Sequence, residues 1–218
     1  MTMTPSTHKL MLTAHVTASV GWVGALAVFL VHALASLISQ DAQMVRAASL
    51  AMGLTAWFVI LPLSLASFAT GIVQALGTAW GLFRHYWILF KLLLTAVATI
   101  VLLLKLGSIS SLTDLAAGMT LSSTDLVGLR TSLMVHAAGG LLVLLTATAL
   151  AIYKPSGMTR YGIRKHRERG NARGGAGLEL STSMPTWVKV FGIIGIVLIL
   201  LVVIMMLVGD HGPGAHAA

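Results

Sequence analysis

The chain has 218 residues, of which 57% are hydrophobic and only 9% are charged. A water-soluble domain of this length carries far more charge on its surface, so the composition excludes that class. The chain has no cysteine, which excludes disulfides, thiolate metal sites, iron–sulfur clusters and covalently attached c-type haem. Most of the net charge of +8 lies in one loop, so we do not interpret it as a sign of nucleic-acid binding.

Five apolar runs follow one another along the chain, at residues 10–39, 47–76, 85–106, 129–153 and 187–208. Each has about the 20 residues that a helix needs to cross a hydrocarbon core of ~30 Å. The runs are continuous and do not alternate in polarity, which favours helices over strands. The sequence therefore predicts an all-α polytopic membrane protein with a four-helix transmembrane bundle and a fifth, peripheral transmembrane helix.

The loop between the fourth and fifth runs fixes the predicted orientation. Short loops rich in Lys and Arg stay in the cytoplasm, so the N-terminus is expected inside and the C-terminus outside. The same loop divides the chain into a bundle (1–153), a basic cytoplasmic linker (154–185) and a fifth helix with an outer tail (186–218). Seven bases in the loop carry this prediction: Lys154, Arg160, Arg164, Lys165, Arg167, Arg169 and Arg173.

The first run contains two histidines, His15 and His32. It is too long for a signal peptide and no clean cleavage site follows, so we expect it to be retained. Ser19 and Trp22 follow His15 by four and seven residues, which places them on the His15 face of the helix. We interpret Trp22 as a core aromatic residue, and contact with the edge of a cofactor is the alternative.

The second run contains Pro62, which predicts a kink. A polar strip follows it, formed by Ser64, Ser67, Thr70, Gly71 and Gln74. Two interpretations stay open. The strip satisfies backbone groups that the proline frees, which we favour, or it lines a water path.

The third run begins at His85, in the sequence "FRHYW", at the expected level of the headgroups. Lys91 follows near the start of the helix and is expected to extend its ammonium to the interface, or to pair with a haem propionate. Residues 107–128, beyond the run, are rich in Ser and Thr, which are good N-cap residues, and predict a short helix on the outer surface.

The fourth run contains His136 in "LMVHAAGGLLVLL", residues 133–145. Gly139 and Gly140 follow it by three and four residues and so lie on the same face, one turn further along. Their missing side chains leave room for a flat macrocycle or let another helix approach closely, and the sequence does not choose between the two. His32 and His136 are both expected ~10 Å below the outer surface, at 1.5 Å of rise per residue, where they can face one another.

Every carboxylate lies outside the predicted spans, which weighs against proton-coupled transporters. Each buried histidine taken alone is most simply explained by a hydrogen bond across a helix interface. Taken together, the four favour axial ligation of haem b. The predicted haem-binding set is His15, His32, His85, His136, Gly139 and Gly140.

Copper is the alternative cofactor. It would be bound by His15, His32 and His136, with Met11, Met52 and Met134 available as further ligands.

Two stretches carry a resemblance to known proteins: "TGIVQALGTAWGLFRHYWILFKLLLTAVATIVLLL" at 70–104 and "HVTASVGWVGALAVF" in the first run. Over about residues 10–153 the chain resembles a family of bacterial inner-membrane proteins whose domain has no known function. More distantly it resembles copper-resistance-D-type membrane proteins. The resemblance implies a multi-helix protein of the bacterial inner membrane, and its copper-resistance side implies copper handling.

The sequence thus predicts a haem-b electron carrier, a membrane cytochrome or oxidoreductase. His32 and His136 would form the outer site, and His15 with His85 an inner one. Expected partners are the lipid bilayer, and a quinone or a redox protein on the outer side. Two other functions stay open: a non-redox membrane scaffold or accessory subunit, and a copper-handling permease.

Overall fold

The computed structural model of the chain describes residues 3–77, 83–118, 125–154, 157–159, 161–164 and 185–209. Its helices, in chain order, are α1 (Pro5–Ile38), α2 (Ala42–Thr55), α3 (Leu61–Gly77), α4 (Tyr86–Ala117), α5 (Asp125–Tyr153) and α6 (Thr186–Gly209). A π-helical turn (Ala56–Ile60) joins α2 to α3, so that one helical segment runs from Ala42 to Gly77.

Four helical segments within the described residues are long and apolar enough to cross a membrane: α1, the α2–α3 segment, α4 and α5. They correspond to the first four apolar runs, and the protein is an all-α integral membrane protein. The predicted fold class is confirmed.

The helix ends follow local capping rather than the limits of the apolar runs. Thr4 caps α1 by accepting a hydrogen bond from the Thr7 N–H at 3.3 Å, with Pro5 in the first turn. Asp41 caps α2 by accepting from the Gln43 N–H at 2.9 Å. The first N–H groups of a helix have no partner within the helix, and a capping side chain accepts a hydrogen bond from one of them. Both helices therefore begin at their caps, about five residues before the first and second apolar runs.

The disturbance predicted at Pro62 takes the form of the π-helical turn Ala56–Ile60, which ends two residues before the proline. Pro62 has no N–H and its ring crowds the carbonyl of Phe58, so regular α-helical bonding fails there. The Trp57 indole in this turn donates to Ser110 Oγ of α4 at 3.2 Å. Wider turns of this kind occur often at functional sites.

The core of the bundle is one apolar cluster to which α1, α2, the π turn, α4 and α5 all contribute. Helix α1 packs against α2, α3 and α5, while α4 packs against α2, α3 and α5 from the other side. Fully or nearly fully buried members of the cluster are Trp22, Phe29, Ala33, Met52, Ala56, Ile60, Ile109, Leu112 and Leu133.

Helix α6 lies outside this cluster and packs against α4. The Trp187 ring contacts Phe90 and Phe191 edge-on, at centroid distances of 6.3 and 6.1 Å. The peripheral position predicted for the fifth helix agrees with this packing.

The prediction of a separate short helix within 107–128 is wrong for the residues that the structure describes. Helix α4 continues without a break to Ala117. Leu106, Ile109, Leu112 and Ala116 recur at helical spacing on one buried face, so the helix keeps a packing surface beyond the apolar run. Residues 119–124 lie outside the described part.

Most of the predicted basic linker, residues 165–184, also lies outside the described part, and the three-part division of the chain stays a prediction. The described residues just after α5 pack against the start of α4. The Thr159 N–H donates to the Arg84 carbonyl at 3.0 Å, and the Tyr86 N–H donates to the Gly157 carbonyl at 3.4 Å.

Candidate functional site

His15 is buried, and both of its ring nitrogens have hydrogen-bond partners. Nδ1 lies 3.1 Å from the Ser67 carbonyl and 3.1 Å from Thr70 Oγ1. Nε2 lies 3.0 Å from Lys91 Nζ of α4. With Nδ1–H donating to the carbonyl, Nε2 is the acceptor for the ammonium, and the ring has no lone pair left for a metal.

The polar strip of α3 joins that helix to α1. Ser67 Oγ lies 2.8 Å from Ser19 Oγ, and the Gln74 amide donates to the Met11 carbonyl at 2.7 Å. Gly71 belongs to the same contact, because a Cβ on it would lie 3.2 Å from Cε1 of His15. The strip's side chains therefore hold α1 against α3, in addition to bonding their own helix.

His32 is partly exposed, and its Nδ1 lies 2.8 Å from the Val28 carbonyl one turn back in α1. His85 immediately precedes α4, and its backbone pairs with that of Met158. Neither histidine lines the apolar cavity that lies between α4 and α5.

His136 is the histidine that does line this cavity. Its Nδ1 donates to the Ser132 carbonyl of its own helix at 2.7 Å. Its Nε2 is buried and has no hydrogen-bond partner among the described residues. Because Nδ1 carries the proton in that bond, Nε2 presents an unused lone pair.

The cavity has a volume of about 90 Å³ and lies between α4 and α5, with α1 and the end of the π turn behind it. Its back wall is formed by the buried side chains of Trp22, Leu26, Phe29 and Ile60. Its rim is half-exposed and is formed by residues of α4 and α5: Val97, Val101, Lys105, Val135 and Gly139. The more exposed part of the lining therefore belongs to α4 and α5.

Gly139 and Gly140 have different roles, which resolves the ambiguity of their pairing in the sequence. A Cβ on Gly140 would lie 3.3 Å from Cδ2 of Leu26, so this glycine lets α1 approach α5. A Cβ on Gly139 would meet no atom within 4 Å. Gly139 therefore leaves open space beside His136.

The level of His32 relative to His136 follows from the register of α1 against α5. Arg130 Nη1 of α5 donates to the Ser36 carbonyl of α1 at 3.5 Å. Ten residues later in α5 and ten residues earlier in α1, Gly140 lies against Leu26. In this antiparallel register His136 lies opposite residue 30, within two residues of His32. The two histidines are at nearly the same depth, but the cavity receives only His136.

Two further participants at this site escaped the sequence interpretation. Ser132 is four residues before His136, and its carbonyl orients the ring. Lys105 of α4 lines the cavity, which only the pairing of α4 with α5 reveals.

The candidate copper ligands do not converge in the described part of the chain. Met52 is fully buried in the apolar cluster and Met134 packs against its edge, whereas the Met11 carbonyl serves Gln74 at the α1–α3 contact. Within the described residues, no three side chains of the types His, Cys, Asp and Glu are grouped as for a metal ion.

Comparison with known proteins adds no further assignment: no family model, no curated protein and no solved structure matches the chain.

Proposed function

We propose that this integral membrane protein is a redox protein that binds haem b through His136. The observation that supports the proposal is the buried Nε2 atom of His136, which has no partner among the described residues and belongs to the lining of an apolar cavity. Leaving a polar atom buried and unpaired costs on the order of 1–3 kcal/mol. A ligand that uses the lone pair removes this cost.

The surroundings of His136 suit a metal ligand. Histidines that bind metals commonly donate their other N–H to a carbonyl or carboxylate, which fixes the tautomer and the ring orientation. The Ser132 carbonyl provides this contact at 2.7 Å. Haem b needs an imidazole nitrogen and a dry slot, and when bound it supplies one-electron chemistry.

The space at the site fits haem only in part. A cavity of about 90 Å³ is smaller than the roughly 300–1,000 Å³ of typical ligand pockets. The open space at Gly139, where a Cβ would meet no atom within 4 Å, is the side on which the pocket can widen. Haem binding therefore requires α4 and α5 to separate around the cavity.

The inner histidine favours a second, purely structural function for that half of the bundle. His15, Lys91, Ser67 and Thr70 satisfy one another across three helices. This observation supports a scaffold role there, and it removes His15 from the haem proposal. The proposal includes a quinol or an outer redox protein as electron partner. It also includes the bacterial inner membrane as the location, with the N-terminus inside and the C-terminus outside. The resemblance to copper-resistance-D-type proteins stays a prediction.

The test is an absorption spectrum of protein purified from cells supplied with a haem precursor, air-oxidised and then reduced with dithionite. The proposal predicts haem-b bands that change on reduction, in a His32→Ala variant as well as in the wild type. If the His32→Ala variant loses the haem bands, His32 is a second axial ligand beside His136, as the sequence predicts. A spectrum without haem bands, with copper found by metal analysis, would contradict the proposal in favour of copper handling.

A further inference from the structure

The two ends of the bundle carry different charges. One of them, the basic end, is formed by the starts of α1, α4 and α6, the end of α3 and the described residues that follow α5. The Met3 N–H donates to the Gly77 carbonyl at 3.3 Å, which joins α1 to α3. The bond between Lys91 and His15 joins α4 to α1 near their starts. A Cβ on Gly157, after α5, would lie 3.0 Å from the proline that precedes α6.

Every carboxylate of the described residues lies at the opposite end. Asp41 lies between α1 and α2, Asp114 is in the last turn of α4, and Asp125 begins α5. Residues 165–184, outside the described part, add four bases and two acids in sequence, which keeps the excess positive. The described Lys and Arg residues at the surface of the basic end are Lys9, Arg84, Lys154, Arg164 and Lys189. Lys91 is not among them, because its ammonium donates to a histidine of α1.

The two ends also use their cations differently. At the opposite end, Arg46 and Arg130 each donate to a backbone carbonyl in the last turn of a neighbouring helix, α4 and α1 respectively. At the basic end, the side chains of Lys9, Lys154 and Lys189 are exposed. Their ammonium groups therefore act on the surroundings of the protein and not on its helix ends.

The tyrosines indicate what those surroundings are. All three tyrosines of the chain lie at the basic end: Tyr86 begins α4, Tyr153 ends α5 and Tyr161 follows it. Tyr153 is 82% exposed and Tyr161 is 54% exposed. Tyrosine side chains favour the boundary between hydrocarbon and water, where the lipid headgroups lie. Because Lys154 directly follows Tyr153, the exposed cations of the basic end are at the level of the headgroups.

We propose that the basic end binds anionic phospholipid headgroups, with Lys9, Lys154 and Lys189 as binding residues. The headgroup of phosphatidylglycerol has a net negative charge, whereas that of phosphatidylcholine carries its own cation beside the phosphate. Each lysine close to the headgroups favours the anionic lipid by about a factor of five. Neither His136 nor a cofactor takes part, so this inference is independent of the proposed function.

The experiment offers the full chain both lipids at once. Delipidated protein is incubated in dodecyl maltoside micelles with equal amounts of phosphatidylglycerol and phosphatidylcholine, and the lipids that stay bound after gel filtration are counted by native mass spectrometry. The wild type should retain phosphatidylglycerol over phosphatidylcholine by at least about fivefold. The excess should fall in about 1 M NaCl, where charges further apart than ~3 Å are screened from one another.

Two triple variants remove the same charge from different ends. The basic-end triple changes its three exposed lysines to Gln and should retain the two lipids in nearly equal amounts. The opposite-end triple is the matched control and should keep the wild-type ratio; it is Arg46→Gln/Lys105→Gln/Arg130→Gln. A triple that replaces the three lysines with Arg should also keep the ratio, because the charge is unchanged.

Three results would overturn the proposal. The first is a wild-type ratio near one, and the second is a basic-end triple that keeps the wild-type ratio. The third is an equal loss of the ratio in both triples, which would mean that the net charge of the protein attracts the lipid, whichever end carries it. If the opposite-end triple aggregates, Arg46→Gln is compared with Lys154→Gln, and only the lysine variant should lower the ratio.

Discussion

His15 and His136 are both histidines of transmembrane helices, and the structure treats them in opposite ways. The His15 ring uses both nitrogens, one toward α3 and one toward Lys91 of α4. The His136 ring uses one nitrogen within its own helix and leaves the other beside a cavity. The partners that neighbouring helices supply, rather than residue type or depth, decide whether such a histidine is structural or available to a ligand.

The difference has a local cause in each half of the bundle. Near His15, α3 contributes Ser67 and Thr70, and α4 contributes a lysine. Near His136, the facing residues of α1 and α4 are almost entirely apolar, with Lys105 as the exception. The first environment satisfies both nitrogens of an imidazole, whereas the second leaves Nε2 of His136 without a partner among the described residues.

The largest effect is expected from filling the open space beside His136. Gly139→Leu places a side chain where a Cβ meets no protein atom within 4 Å, so the helices need not move apart. Haemin affinity should fall more than tenfold while the melting temperature in detergent changes little. Gly107→Leu is the control, because Gly107 is equally open and lies outside the cavity lining. Equal haemin affinity in both variants would show that the cavity is not the site.

A second effect should appear when α4 and α5 are prevented from separating. The natural chain has no cysteine, so a Leu94→Cys/Ala147→Cys pair is its only possible disulfide. Both positions lie in the α4–α5 cluster and outside the cavity lining. Oxidation should lower the extent of haemin uptake, and thiol reduction should restore it. Uptake that does not depend on the disulfide would contradict the need for separation.

The hydrogen bonds of His15 to α3 and to Lys91 should affect the stability of the protein and not its haem binding. His15→Phe and Lys91→Met each leave polar groups unpaired, so each should lower the free energy of unfolding by about 1–3 kcal/mol. The double variant should lose less than the sum of the two, by at least about 0.5 kcal/mol, because the two residues contact each other. Losses that add fully, measured by denaturant titration in detergent, would mean that the Lys91–His15 bond contributes nothing.

The smallest effect is expected at Gly71, which touches the same ring from α3. Gly71→Ala puts a methyl group 3.2 Å from Cε1 of His15, so the ring or the helix must shift by a few tenths of an ångström. We expect a loss of about 1 kcal/mol in the free energy of unfolding. Gly24→Ala, where a Cβ meets nothing within 4 Å, serves as the control on α1. A loss at Gly71 no larger than that at Gly24 would argue against a close α1–α3 contact.

The fold could be read from the sequence because its signal is local and repeated. Continuous apolar runs are dictated by the hydrocarbon solvent, and the structure places four membrane-length segments where the runs predict them. The extension of α4 to Ala117 was not foreseen, because Ser and Thr residues suggested a new N-cap. The apolar face of α2 packs against this extension and outweighs that local preference.

The candidate site could be read only in part. Spacing within α5 put Gly139 on the His136 face, and both residues line the cavity. The rise per residue put His32 level with His136, but His32 does not line the cavity. The roles of Lys91 and Lys105 depend on how α4 turns against α1 and α5, and no spacing within α4 contains that information. The same holds for the saturation of His15, which requires residues 52 and 76 positions away.

The most direct test of the contrast compares haem content in two purified variants, His136→Ala and His15→Asn, each normalised to folded protein by size-exclusion chromatography. The account predicts that His136→Ala loses its reduced-minus-oxidised haem signal while His15→Asn retains most of it, whatever its loss of stability. A folded His136→Ala protein with undiminished haem, or a His15→Asn protein that loses haem while folded, would contradict the assignment of the free nitrogen of His136 as the ligand site.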